Sequence, residues 1–135
     1  HGALTATPRP EELAVIEQFA GLNQTKIERL RAVADAATKG VLDPRRLRSQ
    51  PTSDALAQLR TIDGVGPFSA DLILARGAGA PDIFPASEQR LHQFMRSRYQ
   101  EPDATVAELA DIAQTWAPFR SWAAFQLRAA AERTR

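Results

Sequence analysis

The sequence predicts an all-α fold, because apolar residues recur at helical spacing almost everywhere, no stretch alternates for long, and Gly and Pro break the pattern into runs of helix length. Pro10, Glu11 and Glu12 open a first helix with Leu13, Ile16 and Ala20 on one face, and Gly21 stops it. A second is expected from Thr25, with Glu28 three residues on as a capping box, Ile27, Leu30, Val33 and Ala37 turned inward, and Gly40 at its end. Asp43-Pro44 starts a short helix through Leu47, and Ser53 is expected to cap another that reaches about Arg60. A glycine-bearing turn from Asp63 to Pro67 leads to a helix from Phe68 to about Arg76. The Gly-, Ala- and Pro-rich loop from Gly77 to Ala86 delivers Ser87 and Glu88 to the next helix, which buries Leu91, Phe94 and Met95. Thr105 with Glu108 makes a further capping box before Leu109, Ala113 and Trp116, and Pro118 starts a last helix carrying Trp122 and Phe125.

The 135 residues fit one helical domain, expected over 1–135, and a chain near 150 residues buries roughly 68–70% of its unfolded surface, enough for a real core. With 44% hydrophobic and 24% charged residues the composition is that of an ordinary globule rather than a disordered chain. No apolar run approaches the ~18–20 residues of a membrane span. Cysteine is absent, which excludes disulfides, zinc-thiolate sites and iron-sulfur clusters, and His1 and His92 are too few for a histidine cage. The net charge is +1, so a partner such as nucleic acid would have to be held by something other than a strongly basic surface. Of the cationic side chains only Lys26 and Lys39 are lysines. The chain opens at His1 without the apolar core of a signal peptide, and its start is expected to be a processing site, a cut or a cloning remnant.

The most informative stretch is Leu59-Arg60-Thr61-Ile62-Asp63-Gly64-Val65-Gly66-Pro67-Phe68-Ser69-Ala70. Two glycines around one aliphatic residue, set between two amphipathic helices, let the backbone turn tightly at positive φ and approach a partner without Cβ interference. Amides of the turn and of the next helix's first residues are then left unpaired and point outward, an anion nest backed by a helix dipole. A DNA phosphate satisfies such a nest without a basic surface. The alternative is a tight helical corner with Val65 as a core plug. The full pattern, with Ile62 and Ala70 placed to pack the two helices over about residues 53–76, favours DNA.

Three further segments carry a resemblance. Asp82-Ile83-Phe84-Pro85-Ala86-Ser87-Glu88 with Leu91, Trp116-Ala117-Pro118-Phe119-Arg120-Ser121-Trp122-Ala123, and Gly21-Leu22 through Lys26 to Leu30 resemble motifs of the helix-hairpin-helix DNA glycosylase superfamily, in its 3-methyladenine DNA glycosylase II branch. The likeness spans nearly all of residues 7 to 130. It implies a two-lobed helical bundle with the base pocket between the lobes, and the N-terminal helices that supply the first lobe and the residue that wedges into the DNA gap are expected to be lacking here. It also implies a monofunctional base-excision-repair hydrolase for alkylated purines, a monomer acting on double-stranded DNA with a damaged base, in the bacterial nucleoid of the cytoplasm. The rival from another class is a catalytically silent DNA-binding module or damage sensor.

The same resemblance assigns site residues. The family's catalytic aspartate falls at Glu88, with Ser87 in place of a glycine. The extra methylene displaces the carboxylate by roughly 1–1.5 Å, and about 1 Å of misplacement can cost about a hundredfold in rate. The competing role for Glu88 is a helix-capping glutamate. Phe68 stands where bifunctional members carry a Schiff-base lysine, so strand cleavage is disfavoured and the ring is expected to line the base pocket, with core packing as its alternative. Trp116 and Trp122 are further pocket candidates, although helical spacing makes core packing the first expectation for both. The amides of Gly64, Gly66 and Ser69, with Val65 between the glycines, are the expected DNA-binding elements. Main-chain carbonyls of Arg60, Ile62 and Val65 are implied to hold a structural Na+ or K+, and no other cofactor is expected. His92 is expected at the surface.

Overall fold

In the computed structural model, residues 7–133 are described. The expectation at His1, and the outermost residues of the 1–135 span, lie outside them. Among the described residues every regular element is helical: α1 (Pro10–Ala14), α2 (Gln24–Thr38), α3 (Pro44–Ser49), α4 (Thr52–Arg60), α5 (Pro67–Leu72), α6 (Gln89–Tyr99), α7 (Val106–Ala113) and α8 (Arg120–Arg133). Helix α5 runs on into a π-helical turn, Ile73–Gly77, and a 3-10 turn, Gln114–Trp116, follows α7.

The apolar faces condense into two clusters. The first joins Leu47, Ala55, Leu59, Ile62, Val65, Ala70, Leu74 and Ile83, so α3, α4, the hairpin turn, α5 and the π turn share one core. The second joins Leu91, Met95, Ala104, Leu109 and Ala124 from α6, α7 and α8, with Phe84, Trp116 and Leu127 packed against it. Each fully enclosed Leu, Ile or Met contributes about 1.5–3 kcal/mol by leaving water. Residues 78–88 run between the clusters, Ile83 in the first and Phe84 against the second. Polar clamps fix that segment. Arg120 donates from Nε to Asp82 Oδ1 at 2.6 Å and from Nη2 to Oδ2 at 2.8 Å, and the Ile83 amide donates to Ser121 Oγ at 3.0 Å.

Several helix ends differ from expectation. The first helix stops at Ala14 instead of Gly21 and buries nothing fully; the Ile16 carbonyl accepts from Arg31 Nε at 2.7 Å instead of continuing a helical ladder. Helix α2 is capped by Asn23, whose Oδ1 accepts from the Lys26 amide, so the Thr25–Glu28 box does not form. Ser53 does not cap α4: Pro51 holds that position and the Ser53 hydroxyl donates to Asp54 instead. Asp43 caps α3, and Thr105 with Glu108 forms the expected capping box on α7. Phe94 is half-buried, whereas Leu91 and Met95 are fully enclosed.

Candidate nucleic-acid interface and base cleft

The hairpin turn is built by local hydrogen bonds. The Ile62 amide donates to the Leu59 carbonyl and the Val65 amide to the Ile62 carbonyl, at 3.2 and 3.0 Å, folding the chain back after α4. Gly64 lies at φ +83°, and a Cβ there would come within 2.6 Å of Arg29 Cδ, so both backbone conformation and the arginine stem require glycine. Gly66 differs from expectation. Its φ of −84° and ψ of 179° are open to any residue, and a Cβ would meet nothing within 4 Å. What glycine provides at Gly66 is bare space in front of the turn, not conformational freedom.

The amides of Gly64, Gly66 and Ser69 have no acceptor among the described residues, and Gly64 and Gly66 are exposed. Ala70 is the first amide of α5 to close a ring, onto the Gly66 carbonyl at 2.9 Å. Val65 is a correction: its amide is consumed by Ile62 and its side chain is buried in the first core, so it is the plug of the turn and not a donor. The carbonyls of Arg60 and Val65 accept no hydrogen bond among the described residues, and that of Ile62 accepts only one.

Behind the hairpin lies a cleft of about 710 Å³, walled by α5 and its π turn on one side and by α8 on the other, with the 78–88 segment and the start of α6 closing it. Phe68, Trp122 and Phe125 supply aromatic surface, and Asp71, Glu88 and Arg128 supply charge. Phe68 is 45% and Trp122 60% exposed. Arg76 sits over the Phe125 ring, 5.4 Å from its centroid.

Glu88 takes the helix-capping role and also stands in the cleft wall. It is the N-cap of α6, accepting from the Arg90 amide at 3.1 Å, and it also lines the cleft. The same oxygen, Oε1, faces Arg128 Nε at 3.8 Å, and Arg128 is itself paired with Glu132 at 2.9 Å. Asp71, on α5, is buried in the cleft wall, and its Oδ2 accepts from the Ser87 amide at 3.1 Å, tying the hairpin's second helix to the loop that carries Glu88.

Trp116 is not in the cleft; it packs half-buried against the second core, its ring 6.5 Å from that of Phe84, because the 3-10 turn after α7 directs it inward. His92 is not at the surface. It is 3% exposed, stacked on Phe84 with Nε2 3.1 Å from the Pro85 carbonyl. Burial holds its pKa below the ordinary histidine value, with Arg96 adding to the effect and the Pro85 carbonyl, Glu88 and Asp71 opposing it.

Asp71 and Arg128 were missed from sequence, although a signal exists. Phe68, Asp71, Leu72, Ala75 and Arg76 share one face of α5 and its extension by three- and four-residue spacing, and Trp122, Phe125, Arg128 and Glu132 share one of α8. That the two faces meet is a tertiary fact.

The helical bundle with its hairpin has the fold of solved 3-methyladenine DNA glycosylase structures, and in sequence the chain is similar to proteins named DNA-3-methyladenine glycosylases. The probable bifunctional transcriptional activator/DNA repair enzyme AlkA of Mycobacterium tuberculosis is 36% identical over 129 residues, covering 91% of this chain and 24% of that protein. DNA-3-methyladenine glycosylase 2 of Escherichia coli is 29% identical, over 86% of this chain and 40% of that one. The crystal structure of a Bacillus halodurans DNA-3-methyladenine glycosidase superposes with a TM-score of 0.79 at 24% identity, over 93% of this chain and 60% of that one. The Schizosaccharomyces pombe 3-methyladenine DNA glycosylase, in complex with abasic DNA, superposes at 0.72 and 23% identity. No family model matches. The chain thus spans about a quarter to a half of the curated relatives it matches.

Proposed function

We propose that this chain is the hairpin-bearing part of a DNA glycosylase that hydrolyses the N-glycosidic bond of alkylated purines, without lyase activity. The observation that carries this reading is the joining of two features on one helix: α5 begins at the unpaired hairpin amides and then walls the cleft with Phe68 and Asp71. A phosphate seated on the amides of Gly64, Gly66 and Ser69 would bring a nucleotide of the same strand to the cleft mouth. Extruded from the duplex, its base would stack on the exposed Phe68 and Trp122 rings, and a cationic methylated purine gains from such faces.

In the reaction the C1′–N bond breaks and its electron pair leaves with the base, so the cationic base departs neutral and the positive charge passes to the sugar ring. Water then adds at C1′ and loses a proton. A carboxylate facing C1′ stabilises the sugar cation; Glu88 fills that role, directly or through a water it orients. No group in the chain needs to protonate a base that already carries positive charge, which is consistent with a buried, neutral His92. Phe68 holds no nitrogen for an imine, which removes the lyase route at that position. The carbonyls of Arg60, Ile62 and Val65 suit a structural Na+ or K+, since among the described residues two accept no hydrogen bond and the third accepts one; an ion held by them would supply positive charge for a DNA phosphate. Replacing K+ by tetramethylammonium at constant ionic strength should then weaken duplex binding.

The test is release of free base from methylated DNA, read by chromatography. Glu88→Gln should slow release by about a hundredfold. Release at an unchanged rate would remove the assignment of Glu88. One observation favours the second reading, a silent DNA-binding module: Glu88 Oε1 is already shared between the Arg90 amide and Arg128. That module would bind duplex with an extruded or missing base and release nothing.

A further inference from the structure

We propose that Asp71 is a second acidic group of the cleft, recognising the cationic sugar alongside Glu88; the inference rests on the glycosylase reading above. Asp71 is 4% exposed, yet it forms part of the cleft wall. Its Oδ2 is held by the Ser87 amide, while Oδ1 accepts no hydrogen bond among the described residues. Every fully enclosed side-chain oxygen among those residues has a partner, so Oδ1 opens to the surface, and the cleft is the surface that Asp71 meets.

The two carboxylates differ in what surrounds them. Glu88 spends Oε1 on the Arg90 amide and on Arg128, so part of its charge is offset. Asp71 has no arginine or lysine nitrogen within ion-pair distance among the described residues; Arg76, a cationic neighbour in the cleft, is turned over Phe125. A buried carboxylate with no cationic partner is costly to keep, and an incoming positive centre relieves that cost. The duplex that fits is one whose extruded sugar carries positive charge. The Ser87 bond has a separate consequence: it holds the Asp71 carboxylate and the Glu88 loop in register, so both charges face the same space.

The test compares binding of two duplexes, one with a protonated pyrrolidine in place of a sugar and one with the neutral tetrahydrofuran, at low salt. The wild-type chain should prefer the cationic duplex. Asp71→Asn keeps an oxygen to accept from Ser87 and removes only the charge, so it should cut that preference, read as the ratio of the two affinities for one protein, by at least about tenfold. An unchanged preference in Asp71→Asn, or no preference in the wild type, overturns the inference, and the second measurement needs no variant. Base release from methylated DNA is scored separately. A wild-type chain that prefers the cation through Asp71 but releases nothing upholds the inference and removes catalysis. A chain that binds neither duplex removes both.

Discussion

Gly64 and Gly66 are the same residue type for different reasons, and mutation separates them. Gly64→Ala forces a side chain to φ +83° and into the Arg29 stem, so it should cost about 1–2 kcal/mol in urea unfolding. Gly66→Ala adds a methyl to open space at an ordinary backbone conformation, and the melting temperature should hold while duplex affinity, read by fluorescence anisotropy, falls. A matched loss of stability and affinity in Gly66→Ala would mean that the bare face of the turn has no role in binding. His92 makes a pH statement. Its folded pKa lies below the ordinary value near 6.5, so above that pH both states are neutral and stability is at its full level. As pH falls below 6.5 the unfolded chain takes up a proton that the folded chain refuses, and stability declines toward the folded pKa. Proton NMR should show the His92 imidazole titrating below the ordinary histidine value, with the melting temperature falling between pH 7 and 5.

At the scale of elements, the 78–88 segment is the part on which the cleft depends, because it carries Glu88 and has no regular structure of its own up to α6. Asp82 and Arg120 hold it with two charged hydrogen bonds, and a third comes from the Arg120 amide at 3.2 Å. Hydrogen bonding to Arg120 lowers the Asp82 pKa. That contribution is therefore present above the unfolded aspartate value and is lost as pH falls through the folded one. Asp82→Asn should destabilise the chain by about 1.5–3 kcal/mol, the range for hydrogen bonds to a charged group, measured by urea unfolding at pH 7. Because the segment also carries Glu88, base release should fall further than the loss of folded protein explains. Helix α5 is the other critical element: one end presents the hairpin amides and its face walls the cleft, so in the proposed function DNA grip and base recognition share one support.

For the whole molecule, the net charge of +1 makes the proposed DNA binding testable by its salt dependence. A clamp built from backbone amides displaces few counterions through side-chain cations. The logarithm of the binding constant should therefore fall with the logarithm of salt concentration at a slope no steeper than about −3, equivalent to roughly three neutralised phosphates. A slope near −8 would point instead to a distributed arginine surface. Of the large exposed rings among the described residues, Phe68 and Trp122 line the cleft, whereas Phe19, Tyr99 and Phe119 do not.

Periodicity, capping residues and the Gly64-Val65-Gly66 turn were enough to establish an all-helical chain and the hairpin, because helix patterning and tight-turn chemistry are local and are written in residues a few positions apart. Local rules failed where neighbours competed: Asn23 displaced Thr25 as a cap, and Arg31 drew off the Ile16 carbonyl. The donors at Gly64, Gly66 and Ser69 were legible for the same local reason, while the loss of the Val65 amide to Ile62 was not, since one turn offers several hydrogen-bond patterns. Which aromatic residue faces the cleft, Trp122 and not Trp116, and which acid joins Glu88, were decided only in three dimensions. Those assignments depend on how α5, α8 and the 78–88 segment pack, and packing brings together residues that no short window of sequence contains.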